Sequence, residues 1–384
     1  MSSRSRSVSV PFYHRAWTFF GSLELTSVVL VLMMVLVLFG TLEQVHLGTW
    51  LAQKKYFSSW LIFYELENGG RLPVFPGGYT VGGLWLINLA VSHVARARWE
   101  WRRFGLLLTH GGLFLLVLGQ GLTQMWAQES QMAIEEGHSA RYSEDYRHVE
   151  LVVIDTHLST EDVVHAVPAA LLKKGRPIQH ASFPFKIIPK QFFQNSVLKS
   201  GSGATATMGV GARLNVLESP RVTSDDEMDT SSAVIELVGP EKSYGVWLVS
   251  TGLETPQTVV IDGTTYLLQL RPVRHYYPFS LHLKRFTHDR YPGTDIPKNF
   301  SSLLRLVDPE TGDDRDVLIF MNNPLRYRGL TFYQASFGKG DKLSILQVVK
   351  NPVWVAPYLA CVLVSLGLAW HFVLHLARFR RRIA

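Results

Sequence analysis

Four stretches of the chain contain no Asp, Glu, Lys or Arg, and they constrain the fold more than any other sequence feature. A helix that crosses the hydrocarbon core of a bilayer needs about 20 predominantly apolar residues. The four stretches are 18, 24, 25 and 27 residues long, at 25–42, 72–95, 104–128 and 351–377. They predict a polytopic membrane protein with four transmembrane α-helices, at 23–42, 78–95, 104–126 and 351–377.

The positive charge of the chain is concentrated beside these stretches. The chain has 38 Lys and Arg residues against 31 Asp and Glu residues. Eleven of the basic residues and one acid, Glu100, lie in segments 1–22, 96–103 and 378–384, which leaves 27 basic and 30 acidic residues elsewhere. Basic residues that flank transmembrane helices favour the cytoplasmic side. The excess charge therefore predicts an orientation, and it leaves no basic face for nucleic acid.

This orientation predicts a 3+1 arrangement, with both termini in the cytoplasm and one large domain between helices 3 and 4. No small-residue cleavage site follows the first span, so we expect a retained anchor and not a signal peptide. The predicted segments between the helices are a cytoplasmic N-terminus 1–22, an extracytoplasmic interfacial loop 43–77, a cytoplasmic turn 96–103, an extracytoplasmic domain 127–350 and a cytoplasmic tail 378–384.

The sequence excludes several common classes of soluble enzyme. Cys361 is the only cysteine and lies in the fourth span, so the chain can form neither an intrachain disulfide nor a CxxC redox pair. The chain also lacks a GxSxG motif, a P-loop, an HExxH motif and a CxxCH haem-attachment site.

The large outer segment has the pattern of a β domain. Short runs with alternating or β-branched residues are separated by turn signals such as Asp262-Gly263. We therefore expect a mainly-β, sandwich-like domain. The runs lie at 149–154, 233–238, 246–250, 258–261, 265–270, 302–307 and 317–321, and 199–212 and 223–232 read as long loops.

Two features of the membrane segments predict local structure. The loop 43–77 is rich in Trp, Tyr and Phe, which favours a short amphipathic helix at the membrane surface. Gly105, Gly112 and Gly119 recur every seven residues in helix 3, and small residues in register let helices approach closely in lipid. We expect this seam to pack against another helix, with a cofactor groove as the alternative.

Histidines inside the predicted spans are the strongest candidates for function, because an imidazole in hydrocarbon needs a partner. His110 and His371 each lie seven residues from the nearest flanking Arg, roughly 10 Å deep at 1.5 Å per residue. His93 and His375 are only about 4–5 Å deep and can reach the headgroup region. His110 and His371 can hydrogen-bond across helices or ligate a metal, and haem iron suits such a site. The outer histidines His275, His282 and His288 are expected to be solvated or at the core edge.

The chain resembles the ResB/CcsB family of cytochrome c biogenesis proteins (System II) over nearly its whole length. In the membrane segments the resemblance rests on Phe20-Gly-Ser-Leu-Glu-Leu-Thr, Gly40-Thr-Leu-Glu-Gln and Leu108-Thr-His-Gly-Gly-Leu. The outer segment adds Tyr291-Pro-Gly-Thr-Asp-Ile-Pro-Lys-Asn-Phe. It also adds Met321-Asn-Asn-Pro-Leu-Arg-Tyr-Arg-Gly-Leu-Thr-Phe-Tyr-Gln-Ala-Ser-Phe. This last string looks like a strand-turn-strand, with Asn323-Pro324 at the turn and Tyr333-Gln334 in the returning strand.

The resemblance implies a multi-pass subunit of a complex in the bacterial cytoplasmic (inner) membrane. Such complexes carry haem b to the outer face and attach it to the CxxCH thiols of apocytochrome c. The implied partners are a CcsA/ResC-type haem-handling protein, apocytochrome c, thiol-reducing proteins of the same pathway and membrane lipid. The family's histidine near the cytoplasmic end of the third span matches His110, which would be an axial ligand of the haem iron, with the second ligand from the partner. His371 has no counterpart and is the runner-up.

The chain departs from the complete machinery, because the partner's tryptophan-rich WGxxWxWD-type motif is absent. We therefore expect a non-autonomous subunit of a cytochrome c haem lyase, without a complete active site and with no catalytic residue of its own. The expected path of haem runs outward along the glycine-lined face of helix 3. Two alternatives are a cofactor-free membrane scaffold with an outer β receptor domain, and an exporter of haem or another amphiphile.

Overall fold

The computed structural model describes residues 12–66, 69–96, 100–156, 163–201, 203–223, 227–294 and 297–383. The chain divides into two compact units: a membrane unit of residues 1–128 and 351–384, and a β unit of residues 129–350. Arg4, Arg6 and Arg98, which contribute to the predicted orientation, lie outside the described residues, as do Asp295 and Ile296.

The described residues form six α-helices, a π-helical turn, a short 3-10 helix at Val210–Arg213 and seventeen strands. The helices are α1 Phe12–Phe20, α2 Leu23–Ala52, α3 Gly78–Arg96, α4 Phe104–Trp126, α5 Ala169–Lys173 and α6 Ala356–Ile383. The strands are β1 Leu61–Glu65, β2 Arg71–Pro76, β3 Gln128–Glu135, β4 Ser139–Asp155, β5 Val163–Pro168, β6 Lys186–Phe193, β7 Ser196–Ser200, β8 Leu214–Glu218, β9 Ser232–Val238, β10 Ser243–Ser250, β11 Gln257–Ile261, β12 Thr264–Arg290, β13 Pro297–Asp308, β14 Asp313–Phe320, β15 Leu325–Tyr327, β16 Leu330–Gly338 and β17 Leu343–Lys350.

Three helical segments are long and apolar enough to cross a membrane by length and composition: Leu23–Phe57, Phe104–Trp126 and Ala356–Arg382. Together with the mainly-β unit they confirm a membrane protein that carries a β domain. The fourth predicted span, 78–95, forms helix α3, which is less apolar because it contains Asn88, Ser92 and His93. The count of four spans stays a prediction.

Polar side chains of α3 close the break between α1 and α2. The last carbonyl groups of a helix such as α1 have no partner within that helix. Asn88, which is buried, donates from Nδ2 to the carbonyl oxygens of Phe20 and Ser22 at 2.7 and 3.1 Å. Ser92 donates to the carbonyl of Gly21 at 3.1 Å. These polar groups of α3 are therefore satisfied by the chain itself.

The structure corrects the predicted form of segment 43–77. Helix α2 does not end at the predicted residue 42 but continues to Ala52, with a non-helical residue at Gly48 (φ 72°), and a π-helical turn follows at Gln53–Phe57. Strands β1 and β2 then form an antiparallel hairpin where an amphipathic helix was expected. Gly40 serves packing and not termination, because a Cβ there would lie 2.8 Å from the ring of Phe57.

One ten-stranded sheet runs through the whole β unit. Its strand order is β14-β13-β12-β4-β3-β17-β16-β15, with β11 paired to β12 and β5 paired to β4. The 27-residue strand β12 pairs with β4 and β11 in its first half and with β13 in its second half. The turn Asp262-Gly263 joins β11 to β12 with positive φ at both residues, as its sequence predicts.

The two halves of this sheet enclose separate cores, so the sandwich prediction describes half of the unit. In the first half, the sheet packs on a three-stranded sheet of order β10-β9-β6, and fully buried Leu151, Ile187 and Ile235 lie between them. In the second half, the sheet curls until β14 contacts β15 and β16, around Phe332 and Leu304. We call this second half the roll.

Candidate functional site

His110 lies in the second turn of α4, and its local hydrogen bond selects one tautomer. Its Nδ1 is 2.9 Å from the carbonyl oxygen of Leu106, one helical turn earlier. A carbonyl oxygen can only accept, so Nδ1 carries the proton and Nε2 of the neutral ring keeps its lone pair. Such a bond at the second nitrogen is how proteins orient metal-ligating histidines. This contact leaves Nε2 as the ring nitrogen of His110 that can act as a ligand or acceptor.

The structure brings His93 of α3 beside His110. The centroids of the two rings are 6.5 Å apart and their planes differ by 28°. Gly111 lies beneath His93, since a Cβ built on Gly111 would be 4.0 Å from both Cε1 and Nε2 of the His93 ring. The depths estimated from the sequence placed His93 nearer the membrane surface than His110, and they did not predict that the two rings lie side by side.

The glycine seam of α4 packs against α6, as the seven-residue spacing predicts. A Cβ on Gly105 would lie 2.6 Å from the carbonyl oxygen of Gly367, and a Cβ on Gly112 would lie 2.9 Å from that of Ala360. A Cβ on Gly119 would lie 2.7 Å from the Cβ of Ala356. The expectation that haem passes along this face is wrong, because α6 occupies it.

His371, the runner-up, belongs to a different face of the membrane unit. Its ring lies 4.3 Å from that of His375, one turn later on α6, and both side chains are exposed. The backbone N of His371 lies 3.0 Å from a Cβ built on Gly105, so this part of α6 covers the glycine face of α4. His110 follows Gly105 by five positions, about 140° further round the helix at 100° per residue. The described contacts therefore pair His371 with His375 and His110 with His93.

The outer histidines do not converge, and one of them is buried. His282 bonds Ser139 at 3.1 Å. The side chain of His288 is 3% exposed, and its Nδ1 lies 2.9 Å from the partly exposed Asp341, which fits the expected core-edge position and not a solvated one. The described residues contain no cluster of three or more His, Cys, Asp or Glu side chains that could hold a metal.

The string Met321–Phe337 forms part of the wall of the roll. Strands β15 and β16 contain Leu325–Tyr327 and Leu330–Gly338, so Tyr333 and Gln334 lie in the returning strand as predicted. The turn between these strands lies at Arg328-Gly329, where both residues have positive φ, and not at Asn323-Pro324 as predicted, because those two residues precede β15. Gln334 accepts a 2.6 Å hydrogen bond from the hydroxyl of Ser302 on β13.

Asp308 anchors this wall to the turn that follows β13. Its buried carboxylate accepts hydrogen bonds from the Tyr327 hydroxyl and from Arg328 Nε, both at 2.7 Å. Backbone N–H groups of Glu310 and Thr311 also donate to it, at 3.0 and 3.4 Å. Burial alone raises the pKa of Asp308, but these hydrogen bonds outweigh it and hold the pKa below its usual value. These residues of the string therefore stabilise the fold.

Comparison with known proteins places the chain in a family. The model of the ResB-like family matches residues 242–345, which extend from β10 into β17. Protein NrfI of Wolinella succinogenes is 30% identical over 311 residues, a region that covers 78% of this chain. The chain belongs to the ResB-like family.

Two further ResB-like relatives are named cytochrome c biogenesis protein CcsB. The one from Picosynechococcus sp. is 36% identical over 80 residues, and the one from Synechococcus sp. is 47% identical over 73 residues. These regions cover 21% and 19% of this chain. The chain spans 30% of the length of NrfI, and the aligned regions are 17% and 16% of the two CcsB proteins.

Among solved structures, cytochrome c heme lyase CcmF aligns with 77% of this chain and 31% of its own chain. The sequence identity is 13% and the TM-score is 0.22. A similarity at this level carries no argument about fold or function.

Proposed function

We propose that this chain is a subunit of a cytochrome c synthase complex of the bacterial cytoplasmic membrane. It helps to move haem b across the membrane and to present it for attachment to the CxxCH thiols of apocytochrome c. It acts together with a CcsA/ResC-type membrane partner and is not an autonomous enzyme. Membership of the ResB-like family and the names of the CcsB relatives support this function.

The observation that carries the proposal is the state of His110. A histidine within an apolar helix is costly unless its ring is satisfied, and the Leu106 carbonyl satisfies only Nδ1. Haem suits the remaining Nε2, because the porphyrin is largely apolar and its iron accepts axial imidazoles. His110 points away from the face that α6 covers, so a partner helix can approach it. The second axial ligand in the complex comes from that partner.

The attachment itself requires little from this chain. Each cysteine thiol adds across a vinyl double bond of the porphyrin: sulfur bonds to one carbon and the thiol hydrogen goes to the other. No oxidant or leaving group is needed, so holding the reactants in position supplies most of the acceleration. The β unit docks the apocytochrome or braces the partner on the outer side.

The proposed topology has both termini in the cytoplasm and four spans, with the β unit outside. The spans are 23–42, 78–95, 104–126 and 351–377, and the outer domain is 127–350. Helix α3 supports this arrangement, because its buried Asn88 finds all its partners within the chain. Since α6 fills the glycine seam, haem approaches His110 from a side of α4 that α6 does not cover.

A complementation experiment tests this function. Cells that lack the chain are supplied with wild type, His110→Ala or His375→Ala, and covalently bound haem in c-type cytochromes is measured by haem staining at matched membrane levels of the chain. We expect His110→Ala to abolish maturation and added imidazole to restore part of it. The control is His375→Ala, which also removes a histidine from a membrane helix but on α6 and not on α4. It should behave as wild type.

Full maturation with His110→Ala would contradict the haem-binding role and favour the cofactor-free scaffold. No loss of c-type cytochromes when the whole chain is absent would contradict the function altogether.

A further inference from the structure

The hairpin of β1 and β2 in the membrane unit has an unusually apolar exposed surface. A sheet that borders water usually has one buried apolar face and one polar face. In this hairpin, large apolar side chains on both strands are exposed, and its described charged residues are Glu65 and Arg71, which form an exposed ion pair at 3.1 Å. Contiguous apolar surface of this kind marks a region that another molecule covers. The exposed apolar residues are Trp60, Leu61, Phe63, Tyr64, Leu66, Leu72 and Val74.

The base of the hairpin lies beside the end of the apolar part of α2. Phe57, just before the hairpin, packs on Gly40, and the uncharged stretch 25–42 ends two residues after Gly40. Ile62 of β1 belongs to one buried cluster with Leu36 of α2. Leu36 is six residues before the end of the stretch, or about 9 Å at 1.5 Å per residue. The base of the hairpin is therefore at the level where the first span ends.

Helices α3 and α4 place the base of the hairpin at the same level. Ser58 accepts a 2.7 Å hydrogen bond from Gln124, two residues before α4 ends at Trp126. Helix α3 begins at Gly78, and a Cβ on Gly78 would clash with the carbonyl group of Phe57. The hairpin is thus fixed to the ends of three helices, at one boundary of the bilayer.

The backbone of the hairpin favours the headgroup region over the hydrocarbon core. Strands β1 and β2 form a two-stranded sheet, so the outer edge of each strand has N–H and C=O groups that need water or polar headgroups. Trp60 and Tyr64 are 67% and 63% exposed, and Trp and Tyr are enriched at membrane–water interfaces. The ion pair of Glu65 and Arg71 also needs polar surroundings.

We propose that the hairpin of β1 and β2 is an interfacial anchor, with its exposed apolar side chains in the lipid at the membrane surface where α4 ends. In the proposed topology this surface is the outer leaflet. Lipid is the occupant because the candidate span Leu23–Phe57 ends only four residues before β1, so the hairpin continues a surface that already requires lipid. The inference goes beyond the proposed function and does not depend on haem binding.

The test measures the lipid exposure of spin labels on the full chain in vesicles of phosphatidylcholine and phosphatidylglycerol. Cys361→Ser removes the native cysteine, and nitroxide labels are attached to Phe63→Cys on β1 or Leu72→Cys on β2. The controls are Leu366→Cys on α6 and Val260→Cys on β11, at residues that are 56% and 64% exposed. Electron paramagnetic resonance compares collisions of each label with oxygen, which concentrates in lipid, and with a water-soluble nickel complex.

We expect the ratio of oxygen to nickel collisions at positions 63 and 72 to be several-fold higher than at 260 and lower than at 366. A label on Glu65→Cys, which is on the same face as Phe63, should have a lower ratio than the label at 63. The sites at 63 and 72 lie on different strands, so a label that disturbs one strand leaves the other as a test.

Two results would overturn the anchor. Ratios at 63 and 72 equal to that at 260 would show that the hairpin lies in water. Protection of both labels from oxygen and from nickel would show that protein and not lipid covers the hairpin. In that case, spin–spin broadening that disappears on dilution with unlabelled chain would identify a second copy as the occupant.

Discussion

Replacing Gly112 by alanine tests the packing of α4 against α6, which defines the face left to His110. The added Cβ would lie 2.7 Å from Val364 Cγ2 and 3.0 Å from Val364 N. Non-bonded carbon atoms rest about 3.5–4.0 Å apart, so the helices must separate by roughly 0.5–1 Å. A gap of that size forfeits about a quarter to a half of each dispersion contact along the seam.

The size of the effect follows from a matched comparison within the same helix. Gly121 has no atom within 4 Å of its position for a Cβ, so Gly121→Ala gains helix propensity without a clash. Gly112→Ala has the same gain in propensity but overpacks the seam, which costs about 1–3 kcal/mol. The difference in stability between the two variants should therefore be about 1–3 kcal/mol, with Gly112→Ala the less stable.

The assay is thermal denaturation of the full chain in detergent, followed by size-exclusion chromatography with fluorescence detection. We expect the apparent Tm of Gly112→Ala to fall below those of wild type and Gly121→Ala. Equal apparent Tm values for the two alanine variants would refute the close approach of α4 and α6. The assignment of His110 to the side of α4 that α6 does not cover would then have no support.

Two predictions concern the β unit. The lowered pKa of Asp308 stabilises the fold fully above the unfolded pKa of ~3.9, and this contribution is lost as pH falls through the lower folded pKa. The apparent Tm of wild type should thus fall more steeply below about pH 4 than that of Asp308→Asn, and parallel curves would contradict this. Arg271 and Glu150 form a buried ion pair at 3.1 Å across β12 and β4, so Arg271→Met should cost about 3–5 kcal/mol in denaturant unfolding. The double variant with Glu150→Leu should recover most of the loss, and equal stability of the single and double variants would count against this account.

The helices and many of the strands could be predicted from the sequence because their signals are local. A run of about 20 predominantly apolar, uncharged residues favours a membrane helix, and helix α4 begins and ends at the predicted residues 104 and 126. The spacing of Gly105, Gly112 and Gly119 likewise predicts a close helix contact without naming the partner helix, which is α6.

The errors arise where a local signal has a distant cause. The uncharged run predicts that the first helix ends at residue 42, but α2 continues to Ala52, and Phe57 of the following turn packs on Gly40. The sandwich expectation describes half of the β unit, because nothing local in β12 reveals that one 27-residue strand serves two cores. The depth of each histidine was estimated from its spacing to a flanking arginine in the same helix. Such an estimate contains no information about contacts between helices, so it could not predict that α3 brings His93 beside His110.

Residues of the recognised strings also divide between function and fold. Tyr327 and Arg328 of the outer string donate hydrogen bonds to the buried carboxylate of Asp308, and Gln334 joins β16 to β13. Their contacts explain their residue types without any ligand. Within Leu108–Leu113, by contrast, the hydrogen bond of His110 to the Leu106 carbonyl uses only Nδ1 of the ring. His110 therefore carries the central claim.

The most direct test of that claim is the haem content and axial ligation of the chain purified with its partner in detergent, compared between wild type and His110→Ala. Our account predicts a low-spin, bis-histidine haem in wild type. In His110→Ala the bound haem should be lost or become high-spin, and added imidazole should restore the low-spin spectrum. An unchanged haem content and spectrum in His110→Ala would contradict ligation by α4 and leave this chain as a scaffold for haem held by its partner.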